Sequence, residues 1–211
     1  MNRIQFPIIF LFLFILNGCS TPFIRTDWKT QHEFPGKYKK ILVMGIIKDE
    51  DLALRRNVEK LFIDDFKSAG YNAVSGLDAY GPRGLANLGQ EETYIKIRQN
   101  GTDAVITIAL IDKRKEKYIK PRKGQAYASI YYFERIWNYP AIQAELVNGK
   151  NPENREFFWE CILFDLNTLE PQHTLQTKSF KSDLAESIIR DYGKEIISKM
   201  IKEKILVKQK N

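Results

Sequence analysis

Two stretches of the chain are almost wholly apolar yet too short for buried helices. Residues 41–47 read ILVMGII and residues 104–111 read AVITIALI. Short continuous runs rich in branched residues fit strands covered on both faces, so other elements must pack on either side of the sheet. Between the runs, Leu54, Val58, Leu61, Phe62 and Phe66 fall on one helical stripe,. Asp49 or Asp51 is positioned to cap the start of that helix, and Gly70 to close it in the left-handed conformation. Residues 71–74 read as a short second strand, 76–90 as a glycine-rich loop, and 91–100 as a second helix stopped at Asn100 and Gly101. Strand, helix, strand, helix, strand at this spacing argues for parallel pairing through right-handed crossovers.

The pattern changes after residue 111. Residues 112–154 are basic and aromatic with little period and read as an irregular insertion. Residues 156–166 and 173–180 read as strands joined by turn residues at 165–171, an antiparallel hairpin. The last element is a long helix. Asp183 and Glu186 resemble a capping box at its start. Ile188, Tyr192, Ile196, Met200 and Ile205 form its stripe, and Lys199, Lys202, Lys204 and Lys208 crowd its carboxyl end, where the helix dipole favours cations,. The expected fold is α/β, a mixed sheet in two or three layers. Its order is β-α-β-α-β, then an antiparallel hairpin and a long C-terminal helix, in a single domain over residues 38–211.

Residues 8–16 (IIFLFLFIL) are uninterruptedly apolar, behind Arg3. A spanning helix needs about 20 apolar residues, so this run has the length of a signal-peptide core. It ends in Leu16, Asn17, Gly18 and Cys19, which resembles the lipobox of bacterial lipoproteins. Asn17 departs from the alanine or serine more usual there. The resemblance implies cleavage after Gly18, lipid (palmitate among its acyl chains) on Cys19, and a signal peptide of residues 1–18. Residues 19–37 are then a tether, broken by Pro22 and by Pro35 and Gly36, with Trp28 and Phe34 docking its far end. Several acyl chains give stable anchoring where one does not. Ser20, in place of the aspartate that retains enterobacterial lipoproteins in the inner membrane, implies an outer membrane location facing the periplasm.

The order of elements behind a lipobox resembles a group of small envelope proteins: the TolB N-terminal domain, the curli secretion lipoprotein and the lipoprotein activators of penicillin-binding proteins. The likeness rests on residues 40–45 (KILVMG), 101–107 (GTDAVIT), 161–165 (CILFD) and 177–180 (TKSF). It covers roughly residues 38–206 and is one of pattern, so it carries over no catalytic residue.

Candidate chemistry is sparse. The formal net charge is +7, of which Arg3 would leave with the signal peptide. In an exported protein such a balance points to anionic head groups or to solubility, and no nucleic acid partner is expected. Two cysteines exclude a disulfide scaffold once Cys19 carries lipid,. Cys161, inside an apolar run, reads as a buried inert thiol, with a reactive thiol or an intermolecular bridge as the alternative. His173 lies across the hairpin from it, near enough in principle for a nucleophile pair, but ordinary strand positions explain both residues better. Two histidines and one free cysteine do not make a zinc site, and no cofactor is expected. Gly76, Gly81, Gly84 and Gly89 read as turn chemistry, because the lysine and hydroxyl of a phosphate loop are missing. The carboxylates Asp49, Glu50, Asp51, Asp64, Asp65, Glu91 and Glu92 fit helix starts and solvated faces.

Residues 113–123 (KRKEKYIKPRK), followed by Tyr127, Tyr131, Tyr132, Phe133, Trp137 and Tyr139, combine cations with aromatic rings. Interfaces favour that mixture at their anchors, and membrane surfaces accept it. The segment reads first as a solvated basic loop followed by an ordinary aromatic strand; the alternative is a contact surface, whose candidate partner contacts are Lys113, Arg114, Lys117, Tyr118, Arg122, Tyr131, Tyr132 and Trp137. The expected function is a non-enzymatic binding or assembly module, anchored to a membrane and serving a protein or other cell-envelope partner. The alternative is a hydrolase of cell wall or carbohydrate that uses two carboxylates.

Overall fold

The computed structural model describes residues 24–30, 38–85, 88–114 and 155–208. They form a mixed α/β fold around one sheet. In chain order the elements are β1 (Ile24–Lys29), β2 (Ile41–Ile46), α1 (Leu52–Ser68), β3 (Ala73–Ser75), α2 (Gly76–Tyr80), α3 (Gln90–Gln99), β4 (Ala104–Asp112), β5 (Glu156–Asp165), β6 (Glu170–Thr177), β7 (Phe180–Lys181) and α4 (Ala185–Lys202). The sheet order is β1-β6-β5-β4-β2-β3, and β7 pairs with β5. β2 runs parallel to β3 and β4. β5 runs antiparallel to β4, β6 and β7, and β1 antiparallel to β6.

Successive side chains of a strand point to opposite faces, and the two apolar runs feed two cores. Ile41 and Val43 of β2, Ile106 and Ile108 of β4, and Trp159 and Cys161 of β5 meet Val58, Phe62 and Phe66 of α1 and Ile189, Tyr192 and Ile196 of α4. Leu42, Met44, Val105, Ala109, Phe158 and Ile162 form the opposite core with Ile97 of α3, and Tyr80 and Tyr94 pack against it. The α1 stripe is narrower than its sequence implies: Leu54 and Leu61 are only partly buried, and Arg55 and Glu59 take inward positions beside Val58 and Phe62.

Both long helices end in the same motif. At α1 the Tyr71 amide donates to the Phe66 carbonyl (3.0 Å) and that of Gly70 to Lys67 (2.9 Å), with Gly70 at φ 88°. The rings of Phe66 and Tyr71 meet edge to face at 6.2 Å, the apolar contact that accompanies this cap,. At α4 the amides of Ile205 and Lys204 bond to Met200 (2.9 Å) and Ile201 (3.1 Å), and the left-handed position falls to Lys204, φ 63°. The Tyr71 hydroxyl donates to the Val207 carbonyl (2.7 Å) and accepts from its amide (2.8 Å), joining the two ends.

Several expectations need correction. Ile24–Lys29, within the stretch read as tether, is an edge strand paired to β6. Residues 76–80, read as loop, form α2, because the Ser75 hydroxyl caps it by accepting from the Asp78 amide (3.0 Å),. The expected caps are unused: Asp51 precedes α1 without a side-chain capping bond, and α4 starts after Leu184, with no capping bond from Asp183. Glu186 instead accepts from Asn57 of α1 (2.8 Å). The second hairpin strand begins at Glu170 and ends at Thr177, and Phe180 belongs to β7. The turn between β5 and β6 is set by Asp165, which accepts from the amides of Asn167 (2.6 Å) and Thr168 (3.2 Å),.

Candidate functional site

The inward charges of α1 organise one corner of the sheet. Glu59 is 1 % exposed. Its Oε1 accepts from the Gly45 amide of β2 (2.9 Å) and from Arg55 Nε (3.1 Å). Its Oε2 accepts from the Leu77 amide of α2 (2.9 Å) and from the Ser75 hydroxyl. Arg55 Nη1 then reaches the Pro82 carbonyl (3.1 Å). One carboxylate thus ties together α1, the ends of β2 and β3, and α2, and Arg55 adds the turn that follows. Gly45 lies close against this packing: a Cβ there would lie 3.0 Å from Arg55 Cγ, so the arginine stem would have to shift. A buried charge is tolerated only where such donors replace water.

Outside this knot, β3 is the last strand of the sheet among the described residues, where it pairs only to β2. A groove of about 690 Å³ runs along it. The floor is Ala73, Val74 and Ser75; one wall is the outer flank of α1, with Arg56, Lys60, Ile63, Asp64 and Lys67; Lys40, Asp78 and Ala79 complete it. The α1 residues recur at helical spacing, so one flank of the helix overhangs the strand. Four cations line the groove against two carboxylates. Arg56 pairs with Asp78 and Lys60 with Asp64, each at 3.2 Å and each well exposed. Exposed pairs of this kind contribute little stability, so these groups can exchange partners at low cost. Lys40 Nζ donates to the Asn100 carbonyl (2.8 Å).

Of the carboxylates singled out in the sequence Asp64 lines this groove, and neither described candidate contact does. Of the candidate contacts, Lys113 and Arg114 lie at the end of β4. Lys113 pairs with Glu156, and Arg114 grips Asp112 with backbone and side chain at 2.9 and 3.0 Å. Burial pushes the Asp112 carboxyl up, but the Arg114 hydrogen bonds outweigh it and the net direction is down. The Lys113 hydrogen bond, aided by Ser179, lowers Glu156. Lys117, Tyr118, Arg122, Tyr131, Tyr132, Trp137 and the lipidation candidate Cys19 lie outside the described residues.

Cys161 and His173 do not form a pair across the hairpin. Cys161 stands opposite Leu175, and His173 opposite Leu163. His173 is fully buried, with Nε2 3.2 Å from Glu203 Oε2 at the end of α4. Burial, then the charge of Glu160 beside it, pushes the Cys161 thiol far up, so it is held protonated, which removes its nucleophilic character. Asp65 and Glu195 are raised by burial, on α1 and α4, and neither lines the groove. Sequence reading passed over Arg55 and Glu59, although a four-residue spacing of opposite charges inside an apolar stripe was a visible signal. Ser75 carried none.

No family model matches the chain, and no curated protein matches it. Among solved structures it is similar to a dodecamer of PelC from Paraburkholderia phytofirmans, at 11% identity and TM-score 0.41, over 82% of this chain and 94% of that one. A variant of the same dodecamer gives 9% identity and TM-score 0.42, over 82% and 97%.

Proposed function

We propose that this chain is a lipid-anchored protein of the bacterial envelope whose domain binds a protein partner through the open edge at β3. The anchor is the lipobox cysteine, Cys19, and the location is the periplasmic face of the outer membrane. The domain is of the kind seen in the TolB, curli secretion and penicillin-binding-protein activator group, with strands and helices alternating before the hairpin and final helix.

One observation carries the binding reading: a sheet edge lies at the bottom of a groove whose overhanging wall is cationic. An unpaired edge offers backbone donors and acceptors to an extended segment, and flanking side chains choose which segment pairs. Cations over an edge also keep two copies apart, since each copy presents the same charges. The partner that satisfies both conditions is an extended segment carrying carboxylates. Arg56, Lys60 and Lys67 would meet those carboxylates while the backbone of β3 extends the sheet.

The test is a photo-crosslinking residue at Ala79, in cells, with Lys60→Glu and Lys67→Glu combined in the same chain. We expect a discrete adduct with the native lysines and at least a tenfold loss on charge reversal. An adduct of equal yield after reversal, or the same adduct from a crosslinker at Lys29 on the opposite edge, would refute binding at β3.

A further inference from the structure

Register places the anchor relative to the rest of the domain. Ile24, the first residue of β1, stands opposite Thr177 at the end of β6. Gln176 stands opposite Glu160, Glu160 opposite Ala109, and Ala109 opposite Ile46. The end of the sheet at which β1 begins therefore also holds the ends of β2 and β4, the start of β5, and β7. The other end holds Lys39, Ala104 and the turn after Asp165, with Lys29 at the level of Ile106, two residues in from it. β4 alone, nine residues long, separates the two ends by about 27 Å at strand rise.

Only five residue steps connect Cys19 to Ile24, at most about 18 Å of extended chain. Because Ile24–Lys29 is a paired strand instead of tether, an anchor on Cys19 holds that end of the sheet against the bilayer. The half of this end nearest β1 is cationic. Arg25, Lys113, Arg114, Lys178 and Lys181 are exposed there, with Glu156 and Asp112 held in ion pairs by two of them and Asp183 as a further carboxylate. The acidic turn Asp49–Asp51 belongs to the other half, before α1, where Arg83 pairs with Asp49 (2.7 Å). An anionic leaflet attracts basic groups lying within a Debye length of it. A lipid chain joined to a basic patch is also a stronger anchor than the chain by itself.

We infer that the domain stands on the bilayer by the end of its sheet that carries Arg25, Lys178 and Lys181, with these cations against phosphate-bearing head groups. The inference rests on the lipid-anchor reading. This orientation leaves the β3 groove at the far edge of the sheet, open to a partner.

The test uses the protein purified from membranes, with a fluorescent amino acid placed in turn at Arg25, Lys181, Lys29 and Lys39. Each variant is reconstituted in vesicles of phosphatidylethanolamine and phosphatidylglycerol that carry a head-group quencher. We expect quenching at positions 25 and 181 to exceed that at 29 and 39 at least threefold. The difference should shrink at least twofold when phosphatidylglycerol is omitted, or, for the probe at position 25, when Lys178→Glu and Lys181→Glu are combined. Equal quenching at 25 and 29 would mean that the domain lies on its β1 edge, and stronger quenching at 39 that it is inverted; either overturns the inference. The mass of the N-terminal peptide reports acylation separately. Unacylated protein sinks the anchor reading and the inference with it, whereas acylated protein with the wrong pattern sinks the inference alone.

Discussion

Replacing Glu59 by leucine is expected to lower the unfolding free energy by about 3–5 kcal/mol, the usual cost of removing one partner from a buried ion pair. The loss has several sources. Arg55 Nε, the amides of Gly45 and Leu77, and the Ser75 hydroxyl all donate to this carboxylate, and each buried donor left without an acceptor costs about 1–3 kcal/mol. Relaxation of the corner recovers part of that sum. Arg55→Met leaves the carboxylate three of its four donors and should cost less. Urea unfolding with an unchanged m-value measures both. Equal losses for the two variants would place the energy in the ion pair instead of the backbone contacts, and a loss below about 1 kcal/mol for Glu59→Leu would show that the knot does not hold the corner together. The groove should suffer too, since Ser75 and α2 are positioned by the same carboxylate.

Trp159→Ala should be about as damaging, near 3–5 kcal/mol, as for other large-to-alanine changes in a core. The Trp159 ring is fully buried between the sheet and α4. It tilts against Phe180 of β7 with centroids 6.4 Å apart, and its Nε1 donates to the Ala185 carbonyl (3.3 Å) at the first residue of α4. The indole therefore supplies what the expected Asp183 cap does not, a fixed starting point for the last helix. Trp159→Phe keeps most of the apolar volume and forfeits the bond to Ala185, so it should cost about 1–2 kcal/mol. If phenylalanine were as costly as alanine, the polar tip of the ring and not its volume would be holding the helix.

What the sequence made legible follows from how local each signal is. β2 and β4 are buried on both faces and were plain as unbroken apolar runs. Gly70 takes the left-handed conformation that its place after the α1 stripe implied. β1 was missed because its six residues, IRTDWK, carry charges, and their partner β6 lies near the other end of the chain. Nothing local distinguishes such an edge strand from a linker. α2 was missed because Gly76, Gly81 and Gly84 outweighed Leu77 and Tyr80, and because a serine cap is visible only once a helix is suspected. The expected caps at Asp51 and Asp183 failed for the converse reason: a three-residue 3-10 turn precedes each helix and moves its start.

The groove could not have been read from the chain at all. It exists because sheet order leaves β3 outermost among the described strands, and that order is fixed by pairings between distant segments. The charges on its α1 wall were visible as Arg56, Lys60, Asp64 and Lys67, but a solvated helix face looks the same in one dimension. Among the candidate contacts, Lys113 and Arg114 proved to be paired locally with Glu156 and Asp112, while taking part in the cationic end nearest β1.

The fate of the sulfur at position 19 decides whether the domain is anchored at all, and metabolic labelling with palmitate tests it directly. Wild-type protein should take up label and sediment with membranes, and Cys19→Ser should do neither. Unlabelled wild-type protein, or a Cys19→Ser form that stays with the membrane to the same extent, would contradict it.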